Sequence, residues 1–287
     1  MARAGSRRRG HLSRAVYLCA PAVFTSRFGI GWGWSRSSEG RVGCVSDTGV
    51  GWLEPIEAST RRFAATVEAL AGAEIGGASL IPPWTRGQVI AHVCRAGDSL
   101  VRLLEWARTG IETPQYSSMA ARAAEIEAGA GRPVAEQLAD VVAGAERFAA
   151  AVRALDAEAW TRQVRPRTGE LRTPEKLVPM RLRELEIHHV DLNAGYTFAD
   201  IPEPAARWIL DDIADALARR ESGRPALLLL ATDSDFLRDL TGGGRASVEI
   251  VGTQANLLGW LSGRVPAEES GLTAERAEAV PPAPIWI

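Results

Sequence analysis

Apolar and polar positions alternate along this chain with two different periods, and the change falls near residue 200. From about Ile56 to Ala73, Phe63, Ala64, Val67 and Leu70 recur three and four apart, which predicts an amphipathic helix. A second helix is expected from Thr85. That residue suits an N-cap, and Gln88 three positions later completes a capping-box pattern. Val89, Val93, Ala96, Leu100, Leu103 and Ala107 then form a stripe, which Gly110 ends. A third helix is expected over Pro133–Leu155, with Pro133 in its first turn and Leu138, Val142, Phe148 and Val152 on its inner side. A fourth begins at Pro174 or Pro179 and runs to Asn193, with Gly195 as its stop. The stretch ETPQYSSMAARAAEIEAGAGR between the second and third reads as a long connection with a helical turn of its own. Four long helices with one long crossover make a four-helix bundle.

Beyond residue 200 the period shortens. EPAARWILDDIADALARR is one more helix, but RPALLLLATD and ASVEIVG are short apolar or alternating runs of the strand type. TQANLLGWLSGR is a helix capped by Thr253 and stopped by Gly263, and the final PPAPIWI is read as an edge strand. No internal repeat is visible. The expected fold class is therefore α plus α+β. A helical bundle occupies residues 49–198 and a small α+β domain residues 199–287.

Length and composition agree with this division. A chain of 287 residues has room for two cores, and 46% hydrophobic with 24% charged residues is the balance of a folded protein. A net charge of −2 gives no global reason to expect nucleic acid as a partner. The charge is unevenly spread. Arg3, Arg7, Arg8, Arg9, Arg14, Arg27, Arg36 and Arg41 precede residue 48 and face only Glu39 and Asp47. A basic start followed by the apolar run Ala15–Phe24 resembles a signal peptide. Pro21 interrupts that run, however, and no small-residue cleavage site follows, so residues 1–48 are read as a disordered extension or an upstream start. No apolar run approaches the roughly 20 residues of a membrane span. Of Cys19, Cys44 and Cys94 only the last lies in the body, so no disulfide framework exists there and a reducing cytoplasm is expected. A single lysine, Lys176, among 33 basic residues points to GC-rich coding.

The densest chemistry lies in RELEIHHVDL, residues 183–192. The chain has four histidines, His11, His92, His188 and His189, and two of them stand side by side here. On a helix Glu184 and His188 are i and i+4 and share a face, extended by Arg181 and Asp191, while Glu186 and His189 turn away. One carboxylate and one imidazole so placed can reach one metal ion inside a bundle. His92, beside the second helix's apolar stripe, is the available third ligand. Two histidines and one carboxylate leave coordination positions open, which suits a catalytic Zn2+ or, failing that, Fe2+ or Mn2+. The alternative stays open at this point: a charged, solvated helix face with a satisfied histidine near it. Cys94 points off the His92 face and reads as a core cysteine.

PPWTRGQVIAHV (82–93) and MRLRELEIHHVDLNAGYTFADIP (180–202) together resemble the mycothiol-dependent maleylpyruvate isomerase family within the DinB-like metal-binding bundles; EWARTGIETPQY between them is also similar, and the likeness runs from about residue 52 to the C-terminus. The resemblance implies a divalent metal, usually zinc, on His92, Glu184 and His188. It implies mycothiol, a small thiol of actinobacteria, as cofactor, and a sterol-carrier-like α+β domain at the C-terminus. It also implies a basic residue near the chain end that helps bind the thiol, for which Arg264 is the candidate. Residues 1–47 have no counterpart in the family. The expected reaction is cis–trans isomerisation of maleylpyruvate to fumarylpyruvate by reversible thiolate addition. Arg86, Arg181 and Arg264 are candidates for binding the thiol cofactor or the substrate carboxylates, because a guanidinium matches a carboxylate bidentately. Arg181 and Asp191 are alternatively a surface pair or a shell that orients the ligands. The expected partners are a small thiol and a small anion, with neither nucleic acid nor membrane, and the protein is expected as a monomer or homodimer. A mycothiol-dependent S-transferase acting on another electrophile and a non-catalytic metal- or ligand-binding protein remain alternatives.

Overall fold

Nine α-helices and four short strands are present among the described residues of the computed structural model, which are 49–285 apart from 71, 221 and 245–247. The reading of residues 1–48 as an extension, and the last two residues of PPAPIWI, lie outside them. The first helix, α1 (Leu53–Ala69), starts three residues earlier than expected and stops sooner, because Leu70 is extended and glycines follow. In α2 (Arg86–Thr109) the Thr85 side chain accepts from the Gln88 amide, the Gln88 side chain accepts in return, and Gly110 closes the helix in the left-handed region at φ 74°. The whole apolar stripe of α2 is buried, with Val89, Val93, Leu103 and Ala107 at 0% exposure.

The long connection holds more than a turn. Ser118 caps a 12-residue helix, α3 (Met119–Ala130), which lies against α2. Glycine permits that closeness: a Cβ on Gly87 would sit 2.2 Å from the Ala130 carbonyl oxygen, and one on Gly129 2.8 Å from the Ala91 methyl. Next comes α4 (Val134–Arg153). Its inner side matches the expected one except at a single position, where Val141 takes the place expected of Val142. Val141, Phe148 and Val152 are buried, Leu138 is half-buried, and Val142 is 45% exposed. Two short helices, α5 (Ala157–Thr161) and α6 (Pro174–Leu177), lead into α7 (Met180–Asp191), which Pro179 starts. Helices α1, α2, α4 and α7 pack as a four-helix bundle around Phe63, Leu103, Phe148 and Leu185. Each such side chain contributes about 1.5–3 kcal/mol by leaving water.

A helix α8 (Glu203–Ala218) follows, and Trp52 of the bundle meets its Trp208 edge to face, 5.7 Å between ring centroids. The sheet comprises β1 (Leu227–Ala231), β2 (Leu237–Asp239), β3 (Val248–Gly252) and β4 (Thr273–Glu275) in the order β2-β1-β3-β4. β1 and β3 are parallel, with Leu229 opposite Ile250, and both edges are antiparallel. The edge is β4 and not the terminal segment. Residues 281–285 form no strand, contrary to the expectation for PPAPIWI, because its three prolines have no N–H to donate. Helix α9 (Gln254–Leu261) sits on the sheet with Thr253 as its cap. Gly263, at φ 73°, turns the chain after it and brings Arg264 back toward α7. The fold is thus helical, with a small mixed sheet in its C-terminal part. None of the described helices is long and apolar enough to cross a membrane.

Candidate metal centre

The packing of α2 against α7 brings three ligand-type side chains to one point. Arg86, at the start of α2, donates from Nε to the Leu192 carbonyl (2.8 Å) and from Nη2 to that of Asn193 (2.8 Å), so it clasps the C-terminal end of α7. One and a half turns into α2, His92 then faces Glu184 and His188. Their ligand atoms all lie within 4.8 Å of one another. His92 Nε2 is 3.0 Å from His188 Nε2, and Glu184 Oε2 is 3.4 Å and 3.6 Å from these two nitrogens. His92 is buried, while Glu184 and His188 are half-buried at the floor of a cavity of about 370 Å³.

The hydrogen bonds around this point fix its electronics. His188 Nδ1 meets the Asp191 carboxylate at 2.7 Å, and Asp191 also accepts from Arg264 Nε (3.0 Å) and Nη2 (2.9 Å). Asp191 has 0% side-chain exposure. Burial alone would raise its pKa, but the His188 and Arg264 contacts outweigh burial and hold it below the usual range. A carboxylate at Nδ1 keeps the proton there and turns the Nε2 lone pair toward Glu184 and His92. His92 presents Nε2 to His188 Nε2 across the 3.0 Å contact, and its Nδ1 lies 3.1 Å from Arg122 Nη2. Burial, with His188 adjacent, lowers the His92 pKa to about 4, so its ring is neutral. Glu184 is well below the carboxylate range: burial opposes ionisation, but His188, His92 and Arg183 prevail. For His188 burial works against charge, and Asp191 and Glu184 overcome it and raise the pKa. Two imidazole nitrogens and an ionised carboxylate converging on a cavity floor, one imidazole backed by a buried carboxylate, are a donor set that fits a divalent cation with open positions.

The remaining expected site residues fall in three different places. Arg264 lines the cavity, with its guanidinium committed to Asp191 and to the Ser262 carbonyl (2.7 Å). Arg86 and Arg181 do not line it. Arg86 is spent on backbone carbonyls. Arg181 is 1% exposed beneath α2, where Nη1 donates to the Val93 carbonyl (2.5 Å) and the group packs against Gly97, whose missing side chain leaves it room. Asp191 takes the orienting place that was one of two sequence readings, and Arg181 does not pair with it. Arg122 and Arg183 line the cavity and were not singled out from the sequence. Glu186 and His189 do turn away. Glu186 accepts from Arg62 (2.5 Å) and from the Tyr196 hydroxyl (2.6 Å). His189 stacks on Tyr196 at 3.7 Å and bonds Thr66 through Nε2 at 2.7 Å. Cys94 is buried, its thiol is pushed up to about 12 by that burial, and it does not converge with His92, Glu184 and His188.

Fold and site define a four-helix bundle with a His–Glu–His centre and a C-terminal α+β portion. A family model described as the mycothiol maleylpyruvate isomerase N-terminal domain matches residues 56–193. Two solved structures are similar over more of the chain, a crystal structure of the mycothiol-dependent maleylpyruvate isomerase and one of a His-to-Ala mutant of it. Each is 31% identical, covers 82% of this chain and 95% of its own, and superposes with a TM-score of 0.72. The comparison with curated proteins gives no match. The chain belongs to the mycothiol-dependent maleylpyruvate isomerase family.

Proposed function

We propose that His92, Glu184 and His188 hold one divalent cation, zinc in the first instance, and that the protein is a cytoplasmic, mycothiol-dependent cis–trans isomerase with maleylpyruvate as substrate and fumarylpyruvate as product. The observation that carries this reading is the convergence of those three side chains at the floor of a cavity walled by guanidinium groups. When bound, the cation would supply a seat that keeps a thiol deprotonated, and mycothiol the nucleophile whose reversible addition lets a cis double bond rotate as a single bond.

The chain's own groups do the rest. Asp191 retains the Nδ1 proton of His188 and so presents Nε2 as a donor of electrons. Arg264 keeps Asp191 ionised through two hydrogen bonds and ties the C-terminal part to the site. Arg183, bonded to Asp212 and 3.5 Å from Glu184, favours the ionised form of Glu184. Ile81, Trp84, Leu100 and Ile187 form apolar wall around the polar floor and limit water there. Arg86 and Arg181 brace α2 against α7 and stand outside the cavity lining.

The test is an assay of purified protein with maleylpyruvate, with and without mycothiol and with and without a chelator. Fumarylpyruvate formed only with both thiol and metal supports the reading. Accumulation of a thiol conjugate would identify an S-transferase, and no turnover with any electrophile by zinc-loaded protein would identify a binding protein.

A further inference from the structure

Among the described residues four arginines line the cavity, and two of them are already matched by carboxylates. Arg264 is bonded to Asp191, and Arg183 to Asp212. Arg122, on α3, differs. Its guanidinium lies 5.9 Å from the Trp84 ring centroid and 5.7 Å from that of Tyr116, and it reaches His92 Nδ1 at 3.1 Å. All three partners are uncharged. Arg167, also on the lining, is exposed, and its backbone N–H is held by the Gln115 side chain at 2.9 Å. Gln115 also donates to Ser99 at 3.1 Å, so the segment that carries Arg167 is pinned to α2.

A half-buried guanidinium steadied by two aromatic rings keeps its planar N–H fork for a ligand. With no carboxylate paired to it among the described residues, a bound anion is what satisfies it. Its one polar contact is also conditional. If His92 used Nε2 as a ligand, its proton would sit on Nδ1 and face Arg122 as a second donor, and the fork would turn wholly to the cavity.

We propose that Arg122 is the residue of this cavity that binds one carboxylate of the substrate, and that the second carboxylate meets Arg167. This rests on the cavity being the active site. It assigns recognition of the substrate's charge to α3 and the 166–168 segment, away from the metal ligands.

The probes are maleate, a dianion, and crotonate, a monoanion of similar size, titrated calorimetrically into wild type, Arg122→Met and Arg122→Lys, each with and without zinc. Wild type is expected to prefer maleate. Arg122→Met should weaken maleate about 10-fold or more and remove most of that preference, with zinc content and thermal unfolding unchanged. Arg122→Lys should restore part of the affinity. A merely structural role would shift both ligands, or the unfolding, together. Maleate bound by Arg122→Met as tightly as by wild type would overturn the assignment, and so would a wild type that does not distinguish the two anions. Failure of zinc to load would refute the metal reading alone, because the zinc-free titrations still judge Arg122.

Discussion

Replacing Asp191 by Asn changes one atom type at the point where the His92–Glu184–His188 cluster, α7 and the C-terminal part meet. The carboxylate holds His188 at 2.7 Å and Arg264 at 3.0 and 2.9 Å, with no exposure of its own. The amide keeps the shape but loses the charge. Arg264 is left without its counter-ion, and breaking such a buried pair costs about 3–5 kcal/mol; the low end applies here because Arg264 keeps 17% exposure. At His188 the amide oxygen can accept from a protonated Nδ1 or the amide N–H can donate to an unprotonated one, so the tautomer is no longer fixed, and loss of an orienting partner of this type costs about 10–100-fold in metal affinity. The two effects separate experimentally. Urea unfolding in a chelator should show a loss of about 3 kcal/mol. At a zinc concentration that is 100 times the wild-type Kd, zinc adds about 2.7 kcal/mol to wild type, and in Asp191→Asn that increment should fall to between about 1.4 kcal/mol for a 10-fold loss of affinity and about 0.4 kcal/mol for a 100-fold loss. Zinc affinity is then read by competition with a chromophoric chelator. A variant that binds zinc within twofold of wild type would refute the claim that Asp191 orients His188, whatever its stability.

Two other substitutions probe groups outside the centre. Arg86→Met should destabilise by about 1–3 kcal/mol by leaving the Leu192 and Asn193 carbonyls without a partner, yet bind maleate as wild type does; a selective loss of maleate affinity would return Arg86 to the ligand site. His189 is held neutral, its pKa lowered to about 4 by burial and then by Arg62. Its contribution is therefore present above the unfolded value near 6.5 and lost as pH falls from there toward 4. Zinc-free protein should lose stability over that window, and His189→Phe, which keeps a ring against Tyr196, should flatten the slope; an unchanged slope in calorimetric scans would show that His189 does not report acid unfolding.

The parts of this fold that were legible in the sequence are those where one local rule decides. Thr85 and Gln88 cap α2 because the capping box is a matter of spacing alone, and the α2 stripe is buried along its full length. In α4 the Ala-rich, weakly contrasted run around Val141 and Val142 left the inner face ambiguous by one position, and packing chose Val141. The same weakness hid α3, where MAARAAEIEAGA has little apolar contrast and owes its seat to Gly87 and Gly129 opposite each other's helices. The three-residue strands β2 and β4 are set by pairing with β1 and β3, which no local pattern records. The convergence of His92, Glu184 and His188 could be read because Glu184 and His188 are one turn apart and the body offers just one further histidine off that helix. The arginines could not be sorted by sequence. Arg181 is on the Glu184 side of α7 but inside the bundle, under Gly97, while Arg122 reaches the cavity only because α3 folds back onto α2.

The most direct test of the whole account is the metal content of protein purified without added metal, measured by mass spectrometry for wild type and for His188→Ala. The expected result is about one zinc per wild-type chain, in keeping with a single three-ligand site, and none in the variant while its circular dichroism stays helical. Folded wild-type protein that carries no divalent cation and takes up none on dialysis against zinc would contradict it, and Glu184, His188 and His92 would then be a hydrogen-bonded cluster at the floor of an anion pocket.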